Sequence, residues 1–209
     1  MLSAQRLTTI LNAALQKLWA NECDLFTDGM EEERSVHERN IVAYLFHYLQ
    51  AQNRSKRKKW DIEYNRQNGT ESKIVFNNRD EPRLIVPDII LHERNSDNNY
   101  CVIEVKYSVN TNVKDEYQKD YNSLIDIIRT HNYQYAISLI ISPTDAFLTW
   151  FTKTKYMTYP QTYISQGGLA LSDKTIETFY PSDHMFIYYH ESLPRYAQQF
   201  YPLITERRL

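Results

Sequence analysis

Leu84-Ile85-Val86-Pro87-Asp88-Ile89-Ile90-Leu91 and, beyond the polar stretch His92 to Asn99, Tyr100-Cys101-Val102-Ile103-Glu104-Val105-Lys106-Tyr107 decide how this chain folds. Both segments are apolar enough to be strands buried on two faces, yet each carries a carboxylate in its middle. Side chains alternate across a strand, so Glu104 and Lys106 share one face while Ile103 and Val105 take the other. A hairpin symmetric about Ser96 makes Asp88 and Glu104 direct cross-strand partners, with Cβ atoms about 4.5–5.5 Å apart. Two like charges in a half-dry site are unfavourable, and one takes up a proton unless a cation neutralises them. Magnesium, which often uses one or two carboxylates plus water and substrate phosphate, resolves the conflict, and manganese is the alternative ion. Lys106 is then placed to stabilise a phosphate or to orient an attacking water. The plainer reading makes Asp88 the start of a turn after Pro87, with Glu104 and Lys106 in a surface ladder on an edge strand. The apolar runs on both sides favour the buried hairpin.

Outward from this hairpin, periodicity sets the remaining elements. Leu7, Ile10, Leu11, Leu15 and Leu18 fall at helical spacing, which predicts a helix over Ser3 to Ala20. A second helix is capped by Thr27 or Asp28, carries Glu31, Glu32 and Glu33 in its first turn, and runs to about Gln50 on a stripe of Val42, Leu45, Phe46 and Leu49. Trp60 to Gln67 reads as a strand, followed by an Asn68-Gly69 turn and a return strand over Ser72 to Phe76. Tyr117, Tyr121, Leu124, Ile125 and Ile128 make one helical stripe over about Asp115 to Thr130. Tyr135 to Ser142 is a continuous apolar strand ended by Pro143. Strand, helix and strand in that order form a crossover, so Tyr100–Tyr107 and Tyr135–Ser142 should be parallel neighbours. Beyond that point Asp145 to Lys155 is expected to be helical, Met185 to Tyr189 a short strand and Arg195 to Ile204 a closing helix. No chemical motif appears there.

Pro87-Asp88, a 15-residue spacer and Glu104-Val105-Lys106 resemble the PD-(D/E)XK signature of the restriction-endonuclease-like nuclease superfamily. The αβββαβ order is similar to that superfamily's core, and the resemblance covers about residues 30 to 142. It implies an α/β fold with a mixed central sheet flanked by helices, here with an added N-terminal helix and a C-terminal extension over 143–209. It also implies that Asp88 and Glu104 are metal ligands helped by the Val105 carbonyl, with Lys106 as the catalytic lysine. Many members carry a glutamate on the helix before the first core strand. Glu38 fits that place, because with Val42, Leu45 and Leu49 it lies at i, i+4, i+7 and i+11 on the buried stripe. A glutamate there needs a partner, and pairing with Arg34 or Arg39 is its structural alternative. Ile62-Glu63-Tyr64-Asn65-Arg66 and His92-Glu93-Arg94 also look like features of uncharacterised bacterial members. The expected activity is Mg2+-dependent hydrolysis of phosphodiester bonds, in DNA before RNA. The competing expectation is a catalytically inactive accessory module that keeps the fold and binds nucleic acid or protein.

Composition limits these expectations. The chain has 209 residues, 42% hydrophobic and 24% charged, which is the balance of one globular domain. Only 4 Gly and 7 Pro leave no flexible linker to mark a second domain. A net charge of −2 weighs against a constitutive nonspecific nucleic-acid binder. Arg54, Lys56, Arg57, Lys58 and Lys59 nevertheless concentrate positive charge beside Trp60, which suits a phosphate backbone and a stacked base. A solvated loop is the plainer account of that run. Lys119 lies opposite its helix's apolar stripe, the six histidines read as structural or surface groups, and Gln166-Gly167-Gly168 reads as a turn. Cys23 and Cys101 make neither a disulfide framework nor a zinc motif. With no apolar run near the roughly 20 residues a membrane span needs, a cytoplasmic setting is expected. Double-strand cutting by a chain with one site would imply a homodimer.

Overall fold

A computed structural model describes residues 2–26, 34–62, 66–67, 71–72, 74–76, 81–94, 96–107, 114–143, 145–152 and 161–165. The capping residues Thr27 and Asp28, Glu31–Glu33, the Asn68-Gly69 and Gln166–Gly168 turns, the Met185–Tyr189 strand and the Arg195–Ile204 helix lie outside them. Helix α1 spans Ala4–Asn21 and is capped by Ser3, whose hydroxyl accepts the Arg6 N–H at 3.2 Å. Leu7, Leu11, Leu15 and Leu18 form its buried stripe. Helix α2, Arg34–Ala51, buries Ile41, Val42, Leu45, Tyr48 and Leu49, while Phe46 packs at the margin of the same cluster.

Strand β1 covers Lys58–Ile62, shorter than the strand expected over Trp60 to Gln67. Arg66–Gln67 (β2) instead pairs with Glu71–Ser72 (β3) as a separate two-stranded sheet. Ile74–Phe76 (β4) pairs with Pro82–Leu84 (β5), so the stretch from Ser72 does not return along β1. Nor is Leu84 to Leu91 one strand. β6 begins at Ile89 and runs to Glu93, with Pro87 between it and β5. Proline has no N–H to give a ladder, so the break falls there. β7 covers Asn99–Tyr107, α3 Lys114–His131 and β8 Tyr135–Ile141. Asn132 ends α3 with a φ of 55°, the left-handed conformation in which asparagine stops helices.

The segment expected to be helical from Asp145 is strand β9, Asp145–Thr152, followed by β10, Gln161–Ser165. Ala146 to Phe151 is buried throughout and apolar except for Thr149, because both of its faces are covered. Ala146, Leu148 and Trp150 face one cluster, and Phe147 and Phe151 the other. Such a run has no period that separates strand from helix. Ser142 and Pro143 turn the chain, with the Ser142 N–H donating to the Asp145 carbonyl at 2.8 Å. The first part of the expected C-terminal extension therefore belongs to the main sheet.

That sheet has six strands in the order β1-β6-β7-β8-β9-β10. β7 and β8 are parallel, as the crossover through α3 requires, and the other neighbours are antiparallel. Helices α1 and α2 cover one face through a cluster that includes Trp60, Ile103, Val105 and Trp150. Trp19 ties α1 to the sheet by donating from Nε1 to the Ser142 carbonyl at 3.0 Å. α3 and the β4–β5 hairpin cover the other face over Ile90, Val102, Ala136 and Ile140. The fold is α/β with a mixed sheet between helical layers. No helix among the described residues is long and apolar enough to cross a membrane.

Candidate functional site

The site lies where β7 outruns its neighbour. β6 pairs with β7 at Ile89↔Ile103, Ile90↔Val102 and Leu91↔Cys101, the register of a hairpin centred on Ser96, before a bulge at Leu91/His92. Asp88 sits in the bend just before β6, so it is in register with Glu104 without belonging to the ladder. Past Ile103, β7 has no β6 strand beside it, and two carboxylates take up its amides. Asp88 Oδ2 accepts the Val105 N–H at 2.7 Å, and Glu38 Oε2 accepts the Tyr107 N–H at 3.3 Å. Buried backbone groups must be paired, so both acids have a structural reason to be there as well as a chemical one.

The odd-numbered residues Ile103, Val105 and Tyr107 pack toward α1 and α2. Glu104 and Lys106 point to the α3 side, as alternation requires. Lys106 Nζ lies 2.9 Å from Glu38 Oε1 and 3.8 Å from Asp120 Oδ2 on α3. Glu38 thus reaches the site from the first turns of α2, where its carboxylate pairs with Lys106, while the side chain of Arg34 lies outside the described residues. Asp120 was not anticipated. It follows Lys119, whose side chain lies outside the described residues, and precedes the buried Tyr121 of the apolar stripe, which brings its carboxylate to the edge of the packed face.

Electrostatics couple these groups. Burial raises the Glu104 carboxyl well above the ordinary range, and the charges of Asp88 and Asp120 add to the effect. Burial also raises Asp88, more than the Val105 amide and the Lys106 charge lower it. Each carboxylate disfavours the charge of the other, so the pair as a whole tends to retain a proton. For Lys106, burial acts to lower the pKa, but Glu38 and Asp120 outweigh it and keep the ammonium charged. Four carboxylates around one ammonium leave an excess of negative charge even with one shared proton. That is the condition under which a buried site recruits a cation.

Among the described residues, no three acidic, histidine or cysteine side chains are grouped to hold a metal by themselves. Asp88 and Glu104, adjacent in the β6–β7 register, are the residues that could hold a divalent ion, with the Val105 carbonyl as a further oxygen. This small set fits magnesium, which keeps several waters and takes further oxygens from substrate phosphate.

The basic stretch lies elsewhere. Lys58 pairs with Glu93 at the far end of β6 from Asp88, roughly 17 Å away at about 3.4 Å per residue. Arg57 donates to Glu93 at 2.8 Å, and Lys58 lies 4.4 Å from the centre of the Tyr100 ring. Arg54, Lys56 and Lys59 are exposed. Trp60 is buried in the core and cannot stack on a base, which corrects the expectation that it joins this patch.

A second polar cluster centres on His92, which belongs to β6 and not to the polar loop expected over His92 to Asn99. His92 is buried within β6, its Nε2 lies 2.7 Å from Asp61 Oδ2, and Arg94 donates to both Asp61 oxygens. Burial acts to raise the Asp61 carboxyl, but Arg94 and His92 hold it below its usual value. These groups satisfy one another across β1 and β6. Cys101 is buried and Cys23 exposed, both as thiols. No family model, curated protein or solved structure matches the chain.

Proposed function

We propose that the chain is a divalent-metal-dependent phosphodiesterase of the restriction-endonuclease-like class, acting on nucleic acid with DNA as the favoured substrate. The observation that carries this reading is the half-buried Asp88–Glu104 pair, set opposite each other by the β6–β7 register, with the Lys106 ammonium on the same face of β7. The order α2, β1, β6, β7, α3, β8, with β7 and β8 parallel, supports the same reading. Asp88, Glu104 and the Val105 carbonyl would hold Mg2+ or Mn2+. Bound there, the ion would supply Lewis acidity at the phosphate and lower the pKa of a water. Asp88 is fixed for this task by the Val105 amide. Lys106 remains protonated and offers its N–H groups to a phosphate oxygen or to the water. Glu38 and Asp120 hold the Lys106 ammonium in place from α2 and α3. The exposed Arg54, Lys56 and Lys59, with Arg57 and Lys58 more committed to the fold, would contact the strand well away from the scissile bond.

A second reading is favoured by one observation: Asp88 and Glu38 both cap amides that the end of β6 leaves unpaired. In that reading they are structural, and the chain is an accessory module without catalysis. Metal titration followed by thermal melting separates the two, because an ion that binds only the native state raises the melting temperature. The hydrolytic reading expects a rise with millimolar Mg2+ or Mn2+ that is lost in Asp88→Asn. An unchanged Tm in both ions favours the accessory reading. Hydrolysis of labelled single- and double-stranded DNA and RNA then ranks the substrates.

A further inference from the structure

A row of hydroxyls runs across the sheet from the candidate site into the core. Glu104 of β7 lies level with Ser138 of β8, and Ser138 lies level with Thr149 of β9. Residues level with one another on neighbouring strands share a face, so all three point to the α3 side, with strands about 4.8 Å apart. Their neighbours along β8 and β9 on that face, Ala136, Ile140, Phe147 and Phe151, are apolar. Ser138 and Thr149 are 2% and 1% exposed, and Tyr121, which reaches the row from α3, is 2% exposed. Its hydroxyl lies 3.3 Å from Thr149 Oγ1, and its ring packs edge-on against Phe151 with centroids 5.4 Å apart. α3 is tied over this face by Arg83 of β5, turned inward, whose Nη2 donates to Ser123 Oγ and Asp126 Oδ2, both at 3.0 Å. The residue before Tyr121 is Asp120, whose Oδ2 lies 3.8 Å from Lys106 Nζ, so one turn of α3 reaches both the site and the row.

We propose that Ser138, backed by Thr149 and Tyr121, is the positioning residue for Glu104. A hydroxyl in an apolar layer is costly unless it is hydrogen-bonded, and along its own strand Ser138 has only Ala136 and Ile140 on this face. The polar groups level with it are Thr149 on one side and Glu104 on the other. Tyr121, Thr149 and Ser138 can each donate one hydrogen bond and accept another. Aligned in one direction, from Tyr121 to Thr149 to Ser138, they leave the last O–H for the Glu104 carboxylate, and each bond polarises the next. β7 lies between β6 and β8, so Ser138 takes one Glu104 oxygen from the β8 side and leaves the other toward Asp88 on the β6 side. Packing alone requires none of these hydroxyls, since Ala, Val and Phe would fill nearly the same space. The inference rests on the hydrolytic reading, in which Glu104 is an ion ligand, and extends that site to β8 and β9.

Titration of the full chain with Mg2+ and with Mn2+, followed by thermal melting, provides the test, because it reads ion binding independently of turnover. Ser138→Ala, and Thr149→Val, which keeps the shape and removes the hydroxyl, should each weaken the ion's apparent affinity. The expected loss is about 10–100-fold, the usual cost of removing a partner that orients a ligand. Thr149→Ser keeps the hydroxyl and should retain the wild-type affinity. Ile140→Val, next to Ser138 on the same face, should lower Tm without ion and leave the affinity unchanged, which separates positioning from packing. If the wild type responds to ion and either Ser138→Ala or Thr149→Val responds at the same concentrations, this inference alone is overturned. A loss of affinity in Ile140→Val equal to that in Ser138→Ala overturns it as well. A wild type whose Tm responds to neither ion overturns it together with the hydrolytic reading.

Discussion

At the residue scale, Glu104 and Asp120 are the positions at which the proposed hydrolytic site and a set of amide caps would differ. Glu104 caps no amide among the described residues, and its raised pKa means that the folded protein binds its proton more tightly than the unfolded chain does. Linkage then lowers stability as pH rises from the unfolded carboxylate range through the folded pKa. Glu104→Gln should therefore raise Tm at neutral pH without metal, and the gain should vanish toward acidic pH, where wild-type Glu104 is already protonated. Thermal melts across pH check the sign. The same proton competes with the ion, so metal-induced stabilisation of the wild type should strengthen as pH rises. Asp120 acts through Lys106. Asp120→Asn should lower turnover by roughly 10–100-fold, the usual cost of removing an orienting partner, while the Tm rise with Mg2+ persists. Equal loss of both would place Asp120 among the ion's own ligands.

At the element scale, β9 carries a prediction of its own. Trp150 is buried among the residues facing α1 and α2, so Trp150→Ala should cost about 3–5 kcal/mol of stability, measured by denaturant unfolding. A surface helix over Asp145–Lys155 would give a far smaller loss. The elements legible in the sequence were those with one covered face or a symmetric loop. α1 and α3 showed a 3.6-residue stripe, and the β6–β7 register followed from the equal spacing of Asp88 and Glu104 about Ser96. β9 was not legible because its two faces are both buried. β4 and β5 were misassigned because their pairing with each other is long-range information that alternation does not contain. Asp120 was missed for a related reason: which helical residue meets Lys106 depends on how α3 sits on the sheet. Arg83, turned inward, could not be found from a pattern that expects charge to face water.

At the scale of the whole molecule, two charged regions lie at opposite ends of β6. One end gathers Glu38, Asp88, Glu104, Lys106 and Asp120, and the other carries Arg54, Lys56 and Lys59 in the open. A net charge of −2 makes any nucleic-acid affinity depend on that local separation and not on bulk attraction. Binding should then weaken steeply with salt, whereas an ion held at the half-buried Asp88–Glu104 pair should respond less to salt. The most direct measurement is cleavage of labelled DNA by the purified full chain with Mg2+ or Mn2+, beside Asp88→Asn and Lys106→Ala. The account predicts cutting by the wild type that is abolished by chelation and reduced at least about 100-fold in each variant. Cutting that is unchanged by both substitutions, or no cutting of any nucleic acid in either ion, would contradict it.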